Sequence, residues 1–196
     1  MVGADSYAHH TDLYALLQHF NLQKAHLIGL SMGGRVVTDF ALTYPEAVQS
    51  LVLVDAVIHG HKTKYFSYDA ISAAAKESPA AANEAWLAHD LFAPARRNPA
   101  VAAHLSRIVG NYSGWHWVNK NPWTPIDPPS VTQLHKITAP TLVIVGEEDL
   151  RDFLDMSDIL HEQIPGAKKI VMPGVGHMSN MENPEAFNRL VRNFIS

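Results

Sequence analysis

The 196-residue chain contains no cysteine. Disulfides, thiol catalysis and thiolate metal sites are therefore excluded, and a reducing, cytoplasmic setting is the expectation. No apolar run approaches the length of a membrane span, so no membrane partner is expected. Positive charge is not in excess: 15 Lys and Arg stand against 19 Asp and Glu, for a net charge of −4, which argues against a nucleic-acid footprint. No basic stretch followed by an apolar one opens the chain, so no secretory leader is visible. There is no internal repeat and no H-E-x-x-H. His59-Gly60-His61 offers two alternate histidines without a third ligand, which fits a hinge better than a zinc site or an oxyanion donor. Neither a metal nor a cofactor is expected. The composition, 47% apolar and 17% charged, is that of a globular chain long enough for one core or a core with a cap.

Four short runs rich in Leu, Ile and Val lack polar alternation: 25–30, 50–55, 140–146 and 168–173. That is the pattern of parallel strands covered on both faces. Helical segments separate them, which predicts βαβ units and an α/β fold with a parallel sheet of about four strands. An amphipathic helix is expected over 7–20, with Leu13, Leu16, Leu17 and Phe20 on one face. The last helix has Asn183 to cap it, Pro184 in its first turn, and a buried stripe of Phe187, Leu190, Val191 and Phe194. Between the second and third strands the style changes. Short helices are expected over 70–76, 80–92 and 100–109, punctuated by Pro79, Pro94 and Pro99 and followed by a proline-rich stretch over 122–129. The expected organisation is a core of 1–57 and 138–196 with a helical cap of 58–137.

Gly29-Leu30-Ser31-Met32-Gly33 is a G-x-S-x-G pentapeptide between the first strand run and a helical run over 33–42. A serine at such a junction sits in a tight, strained turn and presents its hydroxyl above the sheet edge. A Cβ on either flanking glycine is expected to collide with neighbouring backbone. The hydroxyl needs a base, and the base an orienting acid. Asp149 follows the third strand run, and Gly174-Val175-Gly176-His177-Met178 follows the fourth. Both then lie past the carboxyl ends of parallel strands, where open α/β sheets place ligands. The order Ser31, Asp149, His177 belongs to one triad lineage and not to the chymotrypsin or subtilisin orders. Glu147, Glu148 and Asp152 compete as the acid. Asp55 at the end of the second strand is the runner-up, read first as a structural acid bonding backbone amides.

These segments, with Tyr44-Pro45-Glu46, Leu51-Val52-Leu53-Val54-Asp55, Ala139-Pro140-Thr141-Leu142-Val143 and Glu182-Asn183-Pro184-Glu185, make the chain resemble an α/β-hydrolase of the small esterase and enol-lactonase type. The resemblance implies Ser31 as nucleophile, His177 as general base and Asp149 as orienting acid. The Met32 backbone N–H would be one oxyanion donor, and segment 58–137 a cap that sets substrate shape. Such proteins normally have further strands before the elbow strand, with a His-Gly loop giving a second oxyanion donor. Against that pattern the N-terminal side is short. The elbow strand is then expected at a sheet edge, where an unpaired apolar strand invites a homodimer.

Trp115, Trp117 and Trp123 are candidates for lining a substrate pocket or for packing the cap, and Met32 and Met178 are expected to pack beside the site. The expected activity is hydrolysis of short-chain acyl esters or lactones through an acyl-enzyme. The alternatives are a cofactor-free haloperoxidase or perhydrolase, a carbon–carbon bond hydrolase, or a catalytically impaired binding module.

Overall fold

The computed structural model describes residues 6–196. Four parallel strands, β1 (Ala25–Leu30), β2 (Val48–Val54), β3 (Thr141–Gly146) and β4 (Lys168–Met172), form one sheet in the order β1-β2-β3-β4. The strands lie where the non-alternating apolar runs put them, because each is covered from both sides. Leu51 and Leu53 join Phe40, Phe153, Met156 and Leu160 on one face. Val52 and Val54 join Leu142, Ile144, Met172 and Val191 on the other. Fully burying one such side chain contributes about 1.5–3 kcal/mol.

Helices α1 (His9–His19), α2 (Met32–Thr43) and α8 (Arg151–Gln163) supply side chains to the first face, and α10 (Pro184–Ile195) covers the second. In α8, Phe153, Met156 and Leu160 recur at helical spacing and point at the sheet. The start of α10 is fixed by the Asn183 side chain, which accepts the Ala186 N–H at 3.1 Å. Among the described residues β1 pairs only with β2, and Ile28 on it is half exposed.

Between β2 and β3 run α3 (Asp69–Ala74), α4 (Pro79–Ala88), α5 (Ala93–Arg96), α6 (Pro99–Gly110) and α7 (Trp115–Val118). The single helix expected over 80–92 is broken. His89 leaves helical backbone at φ −57°, ψ 144°, and its Nδ1 accepts the Leu91 N–H at 3.0 Å, starting a separate turn. The Arg96 guanidinium closes the break by donating to the carbonyls of Leu87 and His89 at 2.8 and 2.7 Å. Pro79, Pro94 and Pro99 occupy first turns of helices, where a missing N–H costs nothing. The buried residues Leu91, Phe92, Ala95, Val101 and Leu105 of this insertion belong to the same apolar cluster as the sheet. A short α9 (Ser179–Glu182) precedes α10. No described helix is long and apolar enough to cross a membrane.

Candidate active site

Ser31 joins β1 to α2 at φ +53°, ψ −116°, a conformation that costs a non-glycine residue on the order of 1–3 kcal/mol. Its backbone is held on both sides: the Ser31 N–H donates to Val54 O at 2.9 Å, and its carbonyl accepts the Val57 N–H at 3.1 Å. The glycines around it do not share the work as expected. A Cβ on Gly29 would lie 2.3 Å from Gly33 O, whereas one on Gly33 would meet nothing within 4 Å. The second crowded position is Gly34, where a Cβ would fall 2.3 Å from Ala56 Cβ. The helix is pressed against the segment after β2 at that residue, not at Gly33. Met32 is the first residue of α2, where a backbone N–H has no intrahelical acceptor.

The structure brings Asp149 and His177 together. The His177 Nδ1 and Asp149 Oδ2 are 2.8 Å apart, with both side chains buried. The other Asp149 oxygen accepts the Leu150 N–H at 2.7 Å. The His177 ring lies on Phe153, with centroids 4.3 Å apart. The competing acids are occupied elsewhere. Glu147 accepts the Gly174 N–H, Glu148 pairs with Arg97, and Asp152 accepts the N–H groups of Lys64, Tyr65 and Phe66 at 2.8, 2.7 and 2.6 Å. Those three amides hold the Asp152 carboxyl below its ordinary range against the opposing effect of desolvation.

Two carboxylates that sequence reasoning underused shape the same region. Glu182 accepts the N–H groups of Gly176 and Met178, on either side of His177. Asp55 is fully buried at φ +44°, accepts the Gly146 N–H and the Ser179 hydroxyl, each at 2.7 Å, and abuts Asp149. Asp55, Asp149 and His177 place ligand-type atoms within 4.8 Å of one another. A metal there would have to displace the imidazole–carboxylate, amide and hydroxyl bonds that already engage those atoms. A Ser31–His177 hydrogen bond is not among those the described residues form.

Ser31 opens into a cavity of about 950 Å³, within the range of small-molecule sites, whose wall includes Met32, Arg35, Phe66, Trp117 and Phe153. Of the three candidate tryptophans, Trp117 lines it. Trp123 lies instead over Arg35, whose guanidinium carbon is 3.9 Å from the ring centroid. Trp115 is 40% exposed and packs edge-on to His116, while Met178 packs against the main apolar cluster. His59 sits at the junction of core and insertion, its carbonyl accepting from Val131 N and Ser130 Oγ at 3.1 and 3.3 Å. Arg35, four residues after Ser31 and so on the same side of α2, was overlooked, although that spacing was readable. It is the only Lys or Arg in the described lining, which holds no Asp or Glu. Its Nε is buried without a hydrogen-bond partner, and burial lowers its proton affinity, with Asp39 on the next turn opposing that effect.

The sequence model of the alpha/beta hydrolase fold matches residues 4–184. A Bacillus subtilis protein assigned as a 2-succinyl-6-hydroxy-2,4-cyclohexadiene-1-carboxylate synthase is 29% identical over 196 residues, covering 95% of this chain and 71% of the relative. A 2-hydroxy-6-oxononadienedioate/2-hydroxy-6-oxononatrienedioate hydrolase of Cupriavidus pinatubonensis is 27% identical, covering 93% of this chain and 66% of the relative. Among solved structures, Est816, described as an N-acyl homoserine lactone degrading enzyme, superimposes with a TM-score of 0.74 at 26% identity, covering 96% of this chain and 75% of that one.

Proposed function

The chain belongs to the α/β-hydrolase fold family, and on that premise we propose that it is a serine hydrolase that cleaves carboxylic esters or lactones through an acyl-enzyme. The observation that carries the reading is the buried 2.8 Å Asp149–His177 pair, its imidazole packed on Phe153, which lines the cavity into which the strained Ser31 turn opens. In this reaction His177 Nε2 takes the Ser31 proton while Oγ bonds to the substrate carbonyl carbon. Asp149 keeps the Nδ1 proton in place and stabilises the imidazolium. The oxyanion is met by the Met32 N–H. Collapse breaks the ester bond, and His177 gives its proton to the departing alcohol. Water then repeats the attack, with His177 as base, and frees the acid and Ser31.

The charge of the cavity narrows the substrate. Arg35, in a wall without acids, favours an ester that carries its own carboxylate. The Bacillus and Cupriavidus relatives are named for carboxylated compounds, which agrees with that preference. The Cupriavidus relative also supports a second reading, carbon–carbon bond hydrolysis on the same residues.

Ser31→Ala should abolish p-nitrophenol release from a short acyl ester and labelling by a fluorophosphonate. Undiminished turnover in that variant removes the mechanism. Turnover of a vinylogous diketone with none of an aryl ester selects the second reading.

A further inference from the structure

Asp55 is a buried carboxyl group that the acyl-transfer steps leave unused. It sits where β2 ends, with one oxygen on the Gly146 N–H at the end of β3 and the other on the Ser179 hydroxyl beyond His177. Its backbone N–H donates to Ile144 O at 2.8 Å, and its neighbour Val54 receives the Ser31 N–H. Asp55 and the residue before it therefore tie together the three segments that carry Ser31, Asp149 and His177.

A carboxyl oxygen of Asp55 and one of Asp149 also lie within 4.8 Å of each other, both side chains buried. Two buried carboxylates this close disfavour being charged together, since like charges at such separation drive one to keep a proton. Asp149 has the stronger claim to the negative charge, because it faces the imidazole Nδ1 and a backbone amide. Asp55 faces one amide and one neutral hydroxyl. The titratable groups against Asp55 are Asp149 and His177. Burial first, and the Asp149 charge second, push the Asp55 carboxyl well above the ordinary carboxylate range, with Ser179 and Gly146 opposing.

We infer that Asp55 stands as a neutral acid that donates its O–H to the Asp149 carboxylate, making it a positioning residue that fixes Asp149 against His177 and moderates the basicity of the imidazole. This rests on the serine-hydrolase reading for its consequence in catalysis, but not for its proton. The role differs from that of a plain structural anchor, which would be satisfied by an ionised Asp55.

The test is infrared spectroscopy at neutral pH in an Asp39→Asn background, so that the other carboxyl that burial pushes up does not contribute. A protonated-carboxyl C=O band is expected, present also with Ser31→Ala and lost with Asp55→Asn. Absence of the band, or its survival in Asp55→Asn, overturns the inference whatever the enzyme hydrolyses. If Asp55→Asn does not fold, the same band is followed against pH in the Asp39→Asn variant, where it must persist above the ordinary carboxylate range; its loss within that range overturns the inference.

Kinetics supply the second readout. Ionising Asp55 adds a second negative charge beside His177, so the parent should show an alkaline inflection in kcat/KM that Asp55→Asn lacks. Asp55→Asn retains an N–H for Asp149 and should exceed Asp55→Ala in kcat. Superimposable pH profiles for the parent and Asp55→Asn overturn the positioning role. If Ser31→Ala is inactive in the same series, the hydrolase reading survives that failure.

Discussion

Glu182 holds the chain on both sides of His177, its two carboxylate oxygens accepting the Gly176 N–H at 3.0 Å and the Met178 N–H at 3.1 Å. The histidine is thus fixed through its backbone as well as through Asp149. Glu182→Ala leaves two amides without their charged acceptor, a loss of roughly 1.5–3 kcal/mol per bond if they find no water. Chemical denaturation should show that loss. The kcat for an activated ester should drop about tenfold or more with KM little changed, since the imidazole wanders while the cavity wall stays.

Arg35 sets a separable property. With Arg35→Met, kcat/KM for an aryl ester bearing a distal carboxylate should drop by about one hundredfold, the value of a desolvated charge-assisted pair. A neutral ester of equal size should lose far less. Steady-state kinetics on the matched pair measure the difference, and equal losses on both would deny Arg35 a role in recognition.

The two glycines after the elbow should respond in opposite ways. Gly34→Ala forces a Cβ to within 2.3 Å of Ala56 Cβ and should destabilise by about 1–3 kcal/mol. Gly33→Ala enters open space near the start of α2 and should be neutral or stabilising by up to ~1 kcal/mol. Thermal melting of the two variants gives the comparison.

Asp39 makes stability depend on pH. Burial raises its carboxyl to about 6, with Ser130 and the Arg35 charge opposing. In the unfolded chain it titrates near 3.9. Protonated in both states at low pH, it costs nothing there. As pH rises from about 4 to about 6 the unfolded state releases its proton first, so stability declines across that window and is flat above it. The decline attributable to Asp39 is about 3 kcal/mol. Urea unfolding at both ends of the window should show that Asp39→Asn removes it.

Much of this architecture is written locally. The strands are continuous apolar runs because both faces of the sheet are covered, and their ends fall within two residues of the expected ones. Asp149 and His177 were identifiable because each follows such a run. What local pattern could not supply is where distant segments meet. The crowding that matters at the elbow involves Ala56, so Gly34 and not Gly33 is constrained. The helix expected over 80–92 breaks because His89 caps a new turn and Arg96 satisfies the freed carbonyls, a bargain struck across nine residues. Trp123 was a reasonable wall residue by type, yet Arg35 draws it into a stack. Asp55 was read as a structural acid, and its bond to the Gly146 amide agrees, while its contact with Asp149 lies outside any one-dimensional pattern.

Leu91, Phe92 and Ala95 sit in the same apolar cluster as the sheet. That part of the helical insertion is therefore built into the interior of the sheet and cannot swing away as a lid without exposing it. Opening the chamber by rigid rotation would wet those side chains at about 25 cal/mol per Å². On the cavity side, Asp152 pins the backbone of Lys64, Tyr65 and Phe66 by three amides, so the wall at Phe66 is anchored to α8 as well.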